Sequence, residues 1–313
     1  MTGRTAHFAD TTAARLARLL DDPSLRAKSL ISTLFGDSLL PMGGGVWLAD
    51  LIALAAPLGI SERMTRTAVF RLRRDGLLQA ARRGRRSFYS LTEEGRRQFR
   101  NAEHRIYGAP RAGWDGLWTL ALLTGAPPEV PEAQRRLLVR DLRWAGFAAL
   151  APGFFARPGA DMRLLEETLA ELGLTRDVLA LQAESLPGHP LTPTRRIVAT
   201  AWPLDDIAAG YRALLHDFAP LAEGGEDLTN EQAFILRTLL IDRYRRILLR
   251  DPDLPLDLLP QGWPGRNAAT LTARIYRQVT HPAQTYVAKV LGSDAEDPPP
   301  PPDTAFHQRF RGL

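Results

Sequence analysis

Residues 61–92 read SERMTRTAVFRLRRDGLLQAARRGRRSFYSLT, and this stretch decides the fold of the N-terminal part of the chain. Ser61 is a good helix N-cap and Gly76 is a good stop signal, so we predict a helix over residues 62–75. The apolar stripe that should face the core consists of Met64, Ala68, Val69 and Leu72. The other side of the helix carries Arg63, Arg66, Thr67 and Arg74.

A β-hairpin is predicted directly after this helix. Two strand-like runs, residues 77–80 and 87–91, flank a turn that is centred on Gly84. The tip of the hairpin carries four arginines, which are Arg82, Arg83, Arg85 and Arg86. Thr92 is expected to cap a further helix that runs toward Tyr107.

Two more helices are predicted upstream, over residues 25–40 and 46–56, because apolar residues recur there at helical spacing. Each is followed by proline and glycine. An arginine-bearing helix or an arginine-rich turn, taken alone, is usually only a solvated surface. Three helices followed by a basic hairpin are more specific, and they predict a winged helix-turn-helix domain over residues 25–111.

The charge distribution favours the same interpretation. The chain has a formal net charge of +5, yet residues 63–111 contain 14 arginines and only 4 acidic residues. A local excess of this kind suits a polyanionic partner, because cationic side chains release the counterions condensed on phosphates. We therefore predict that this domain binds double-stranded DNA.

The predicted DNA contacts come from the third helix and from the wing. The helix residues are Arg63, Thr65, Arg66, Thr67, Arg71 and Arg74. The wing residues, which we expect on phosphates, are Arg82, Arg83, Arg85 and Arg86. Such proteins commonly bind as homodimers to palindromic operators, so a homodimer is expected.

The whole chain is predicted to be mainly α with α+β parts. Strand, helix, strand, helix and strand patterns between residues 117 and 186 suggest a ferredoxin-like central module, and a helical domain follows. The predicted sections are a flexible lead-in (1–24), the winged domain (25–111), the ferredoxin-like domain (112–200), a helical effector and dimerisation domain (201–292) and a disordered proline-rich tail (293–313).

Several functional classes are excluded or disfavoured. The absence of cysteine excludes disulfides and thiolate metal sites. The sequence shows neither an apolar run of membrane-spanning length nor a signal peptide, which favours a cytoplasmic location. Nucleotide-binding and hydrolase motifs are missing, and the six histidines are scattered. We therefore expect no metal, no cofactor and no enzymatic activity; Asp115, beside the first central strand, is a weak nuclease candidate.

The sequence resembles the PaaX family of repressors. The N-terminal similarity lies in LFGD (34–37), VWL (46–48), APLG (56–59), RTAVFRL (66–72) and GRRSFYSLT (84–92). Further on it lies in residues 114–123 and 143–147, in 244–255 and in 258–265. The resemblance runs from residue 25 to about residue 286, and it also implies that the central fold is shared with a CRISPR spacer-acquisition nuclease subunit.

This resemblance implies a repressor of phenylacetate degradation genes that leaves its operator when phenylacetyl-CoA or a related aryl-CoA binds. Such an effector needs cations for its phosphates and an apolar slot for its acyl group. The candidate effector residues, on a predicted helix over 231–250 and just beyond, are Arg243, Tyr244, Arg246, Arg250 and Trp263. The alternatives are a regulator of another metabolite, or a nucleic-acid-processing enzyme that uses the ferredoxin-like module.

Overall fold

The computed structural model describes residues 12–108, 113–124, 130–159, 162–184, 190–223, 228–292 and 300–313. The chain divides into two compact units, each built from separate stretches of sequence. Unit 1 comprises Met1–Ala109, Tyr211–Arg246 and Gly265–Leu313. Unit 2 comprises Pro110–Gly210 and Ile247–Pro264.

The first stretch of unit 1 is helical apart from one small sheet. Its helices are α1 (residues 12–20), α2 (Ala27–Thr33), α3 (Leu48–Ala55), α4 (Glu62–Arg74) and α5 (Glu93–Tyr107). Helix α2 continues into a π-helical segment, Leu34–Leu39, and a 3₁₀ turn, Leu40–Met42. The strands β1 (Gly45–Trp47), β2 (Leu78–Arg83) and β3 (Arg86–Leu91) form an antiparallel sheet in the order β1-β3-β2.

The start of α3 corrects the sequence prediction of a helix from residue 46. Val46 and Trp47 instead extend along β3, opposite Tyr89 and Phe88. The rings of Trp47 and Phe88 meet edge to face with centroids 5.2 Å apart. The correction has a tertiary cause, because β3 lies far along the chain and supplies hydrogen-bonding partners that local periodicity does not reveal.

The core of this part lies between α2, α3 and α4. Ile31 of α2, Phe35 of its π-helical continuation and Leu51 of α3 are fully buried. Val69 and Leu72 of α4 are almost fully buried. Burying side chains of this kind contributes about 1.5–3 kcal/mol each. Helix α4 is thereby fixed by one face, and its opposite face stays in solvent.

Long helices from the C-terminal half complete unit 1. They are α10 (Asn230–Leu248), which enters unit 2 at Ile247, and α11 (Gly265–Gly292). Helix α9 (Leu204–Phe218) passes from unit 2 into unit 1 at Tyr211. No helix among the described residues is long and apolar enough to cross a bilayer.

A buried carboxylate, Asp37, joins these segments. It accepts hydrogen bonds from the hydroxyl groups of Tyr107 (2.7 Å) and Tyr276 (2.8 Å). It also pairs with the guanidinium groups of Arg237 (3.0 Å) and Arg309 (3.2 Å). Burial alone would raise the pKa of Asp37, but the two arginines and the two hydroxyl donors together lower it below its ordinary value.

The last residues of the chain correct the prediction of a disordered tail from 293 to 313. Residues 293–299 lie outside the described part, but Thr304–His307 form a short helix, α12, and Arg309–Arg311 form a 3₁₀ turn. The reason is that Phe306, Arg309 and Phe310 are buried. A proline run is a sign of disorder only when the residues after it make no tertiary contacts. Here the three buried side chains hold the end of the chain in place.

Unit 2 is built around a four-stranded antiparallel sheet. Its strands are β4 (Leu117–Leu123), β5 (Ala148–Ala151), β6 (Phe154–Pro158) and β7 (Val178–Glu184), in the order β5-β6-β4-β7. Helices α6 (Glu132–Trp144) and α7 (Met162–Leu172) cross over between strands, and α8 (Thr192–Ala201) follows. The βαββαβ order and the strand neighbours are those of a ferredoxin-like module.

The second of the three strands predicted between residues 117 and 186 is wrong in one respect, since the chain there forms a hairpin of two strands. Gly153, with φ of +75°, provides the turn between β5 and β6. Helices α6 and α7 pack on one face of the sheet around Leu138, Leu142 and Leu165. The predicted fold class, mainly α with α+β parts, is confirmed.

Replacement of Arg309 tests the buried network. Arg309→Met should lower the free energy of unfolding by about 3–5 kcal/mol, because it leaves Asp37 and Glu103 buried with fewer cationic partners. The matched control is Arg311→Met, which alters an exposed arginine two residues away. Urea denaturation followed by circular dichroism measures both, and equal losses would contradict the network.

Candidate nucleic-acid interface

Two side-chain caps set the position of α4 and of the wing that follows it. The Ser61 hydroxyl accepts from the Met64 amide (3.3 Å) at the start of α4, as predicted. The Thr92 hydroxyl accepts from the Gly95 amide (2.9 Å) and donates to the Gly76 carbonyl (2.6 Å). Thr92 therefore ties the end of the hairpin to the end of α4, which fixes the wing relative to the helix.

Helix α4 presents one row of side chains to solvent. Arg63, Thr67, Phe70 and Arg74 are all exposed and recur at intervals of four, three and four residues. This spacing places them in line along a helix of 3.6 residues per turn. We call these four residues the exposed ridge. Phe70, in the middle of the exposed ridge, is 64% exposed.

Two sequence predictions on this helix need correction. Thr65, predicted to contact DNA, is fully buried, and its hydroxyl bonds the Ser61 carbonyl (3.1 Å). Met64, predicted to face the core, is 43% exposed. The buried stripe is Thr65, Ala68, Val69 and Leu72, so the helix is rotated slightly relative to the prediction. The prediction chose Met64 because it is apolar, whereas the spacing of the other three residues suits Thr65 better.

The predicted cationic contacts of α4 differ in how they are held. Arg66 donates to Glu62 one turn earlier (2.8 Å), and Arg74 lies 3.9 Å from Asp75. Arg63 and Arg71 have no ion-pair partner among the residues that the structure describes, and both are exposed. Arg73 is similarly exposed and unpaired within that part of the chain; the sequence analysis missed it, although its charge and position were visible.

The wing is a tight hairpin whose tip is cationic. The backbones of Arg83 and Arg86 lie opposite each other at the end of the two strands, so Gly84 and Arg85 form a two-residue turn. Gly84 adopts a φ of +60°, which glycine accommodates without strain. Arg82, Arg85 and Arg86 are exposed. The predicted hairpin is thus present, with longer strands than predicted.

The five predicted effector residues are divided between the two units. Arg243, Tyr244 and Arg246 belong to unit 1, whereas Arg250 and Trp263 belong to unit 2. In unit 1, Arg243 pairs with Asp22, and Arg246 donates to the Ser24 carbonyl (3.3 Å). These two guanidinium groups are therefore engaged by the N-terminal segment.

In unit 2, Arg250 lines a cleft beside α6, and Trp263 packs on the apolar cluster that contains Trp202 and Leu258.

Asp115, the nuclease candidate, has a structural contact: its carboxylate accepts a hydrogen bond from the Leu117 amide (3.0 Å) at the start of β4. Among the described residues no group of three histidines or acids is placed to hold a metal ion.

Comparisons with known proteins cover nearly the whole chain. Three family models match: the PaaX-like protein model over residues 26–95, the PaaX central Cas2-like domain over 111–194, and the PaaX-like C-terminal domain over 202–289. The transcriptional repressor PaaX of Escherichia coli strain K12 is 39% identical over 289 residues, which are 91% of this chain and 90% of that protein.

A solved structure supports the fold. The uncharacterised protein Rv0674 from Mycobacterium tuberculosis superposes with a TM-score of 0.54 at 23% identity, covering 84% of this chain and 99% of the other. The three family models and the named repressor place the chain in a family of transcriptional regulators, which is not a family of enzymes. The chain belongs to the PaaX-like family, whose named relative is a transcriptional repressor.

The rotation of α4 can be tested by stability. Phe70→Ala should change the free energy of unfolding by no more than about 0.5 kcal/mol, because the ring is in solvent. Leu72→Ala should cost about 2–5 kcal/mol, because that side chain is buried. Thermal and urea unfolding distinguish the two, and a large loss for Phe70→Ala would show that the ring packs in the core.

Proposed function

We propose that this protein is a homodimeric repressor of aromatic catabolism genes of the phenylacetate type, and that it binds operator DNA through α4 and the wing. The observation that carries the proposal is the exposed ridge of α4 beside the cationic tip of the β2–β3 hairpin. Both are supported from behind by a packed core. The identity to a named repressor supports repression as the outcome.

The two cationic surfaces have different tasks in this proposal. The ridge enters the major groove, where Arg63 reads a guanine edge with two parallel hydrogen bonds and Phe70 contacts a thymine methyl group. Arg82 and Arg85 of the wing lie on phosphates, which position the protein without reading sequence. Arg66 exchanges its bond to Glu62 for a contact with DNA, at little cost because the pair is exposed.

A set of arginine variants tests this division of tasks. Arg63→Ala should cost about 1–3 kcal/mol and relax specificity at one base pair, because it removes a base contact. Arg85→Ala should weaken binding to all sequences alike and reduce the slope of log K against log salt by about 1. Mobility shifts on the protein's own promoter and on unrelated DNA, at several salt concentrations, measure both effects.

The matched control is Arg163→Ala, because Arg163 is an exposed arginine of α7 in unit 2. It should leave affinity, specificity and salt slope unchanged. If Arg85→Ala had the slope of the unaltered protein, the placement of the wing on phosphates would be wrong. If no specific shift occurred at all, the proposed operator binding would be wrong.

The effector is proposed to be an aryl-CoA such as phenylacetyl-CoA, with binding contributed by some of Arg243, Tyr244, Arg246, Arg250 and Trp263. We expect the same mobility shift to be reversed by phenylacetyl-CoA and not by free phenylacetate or free CoA. If none of the three compounds reversed the shift, the effector would have to be a different metabolite. The proposal that the protein binds operator DNA would stay intact.

A further inference from the structure

Unit 2 contains a cleft of about 600 Å³ between one face of α6 and the chain at residues 249–251. Its polar lining is dominated by five arginines, which are Arg135, Arg136, Arg140, Arg143 and Arg250. Val139 and Leu249 provide its apolar surface. The volume lies within the range of small-molecule sites, about 300–1,000 Å³.

The acidic residues near the cleft neutralise only part of this charge. Glu132 lies 3.6 Å from Arg136, and Asp141 receives two hydrogen bonds from Arg140 (2.6 and 3.0 Å). The remaining acid of the lining, Asp251, already accepts from the Asp253 amide (2.8 Å).

Three arginines of the lining are left without a hydrogen-bonded or ion-paired side chain among the residues that the structure describes. They are Arg135, Arg143 and Arg250. The cleft thus concentrates guanidinium groups whose donors are directed to no described partner. Arginine presents these donors as a planar fork that matches phosphate.

The spacing of the arginines along α6 favours a bound anion. Arg136 and Arg140 are four residues apart, and Arg140 and Arg143 are three apart, so like charges are neighbours along one face. Like-charge pairs at these spacings destabilise a helix. Glu132 and Asp141 offset part of the charge of Arg136 and Arg140, and an anion bound beside Arg143 would offset more of the repulsion.

We propose that this cleft binds a small organic molecule that carries at least two phosphate groups. The phosphates lie on the forks of Arg135, Arg143 and Arg250, and the organic part lies against Val139 and Leu249. The apolar surface of Val139 and Leu249 beside the arginines favours an organic molecule over a DNA backbone. An aryl-CoA carries such phosphates and Arg250 is also a candidate effector residue, so the proposal rests on the proposed effector binding and deepens it by placing the phosphates in this cleft.

Calorimetric titration of the full chain tests it, with inorganic pyrophosphate, ADP and uncharged adenosine as probes. Pyrophosphate and ADP should bind and adenosine should not. ADP should bind more tightly than pyrophosphate, because its organic part contacts the apolar surface. The double variant Arg135→Gln with Arg143→Gln should weaken ADP binding at least tenfold.

The matched control is Arg163→Gln with Arg176→Gln, which removes the same charge from exposed arginines of unit 2 outside the cleft. Circular dichroism and thermal unfolding check that both variants fold. The proposal fails if ADP does not bind at millimolar concentration, or if both double variants weaken it equally.

Operator DNA gives a further, independent readout. The cleft variant should keep the mobility shift of the unaltered protein, because its arginines lie outside unit 1. If it lost DNA binding while ADP binding persisted, this face would contact DNA instead and the small-molecule site would be refuted. A loss of ADP binding with operator binding intact supports the cleft and leaves the proposed DNA-binding function untouched.

Discussion

The carboxylate of Asp37 is the constraint on which unit 1 depends. It lies in the π-helical continuation of α2, and it meets Tyr107 of α5, Arg237 of α10, Tyr276 of α11 and Arg309 near the C-terminus. Removing a carboxylate from water costs several kcal/mol, which only good geometry and full pairing offset. Burial also raises the pKa of Tyr107 well above its ordinary value, so its hydroxyl remains a donor throughout the physiological range. These five segments must therefore assemble together, since any one that is missing leaves a buried charge with fewer partners.

This network links the helix that carries the exposed ridge to the distant end of the chain. Helix α2, which leads into Asp37, also packs directly against α4. Glu103 of α5 receives both Nε and Nη2 of Arg309, at 3.0 and 2.7 Å. The guanidinium of Arg309 lies over the Tyr107 ring, 4.1 Å from its centroid. The C-terminal segment is therefore a structural component of the N-terminal unit, although more than 200 residues separate them in sequence.

The sequence could predict what local rules determine. Periodicity and the Ser61 cap placed α4 within one residue of its observed bounds, because amphipathic spacing and N-cap hydroxyls act over a few residues. It could not predict the burial of Arg237, since arginine is rarely buried without a specific partner. That partner is Asp37, 200 residues earlier in the chain. For the site, the cationic composition of helix and wing was visible, whereas the rotation that exposes Phe70 and buries Thr65 depends on how α4 packs on α2.

Arginine thus has two physical roles in this chain, and its immediate surroundings decide which one applies. Arg237 and Arg309 are fully desolvated and bound to carboxylates, so they contribute to stability and are withheld from any ligand. Arg63 and Arg85 project into solvent from rigid elements, where their charge acts at long range and their donors stay available. Composition alone gives all four residues the same weight. The distinction comes from the placement of acidic residues: an arginine that meets a buried carboxylate is structural, and an exposed arginine without one is available for binding.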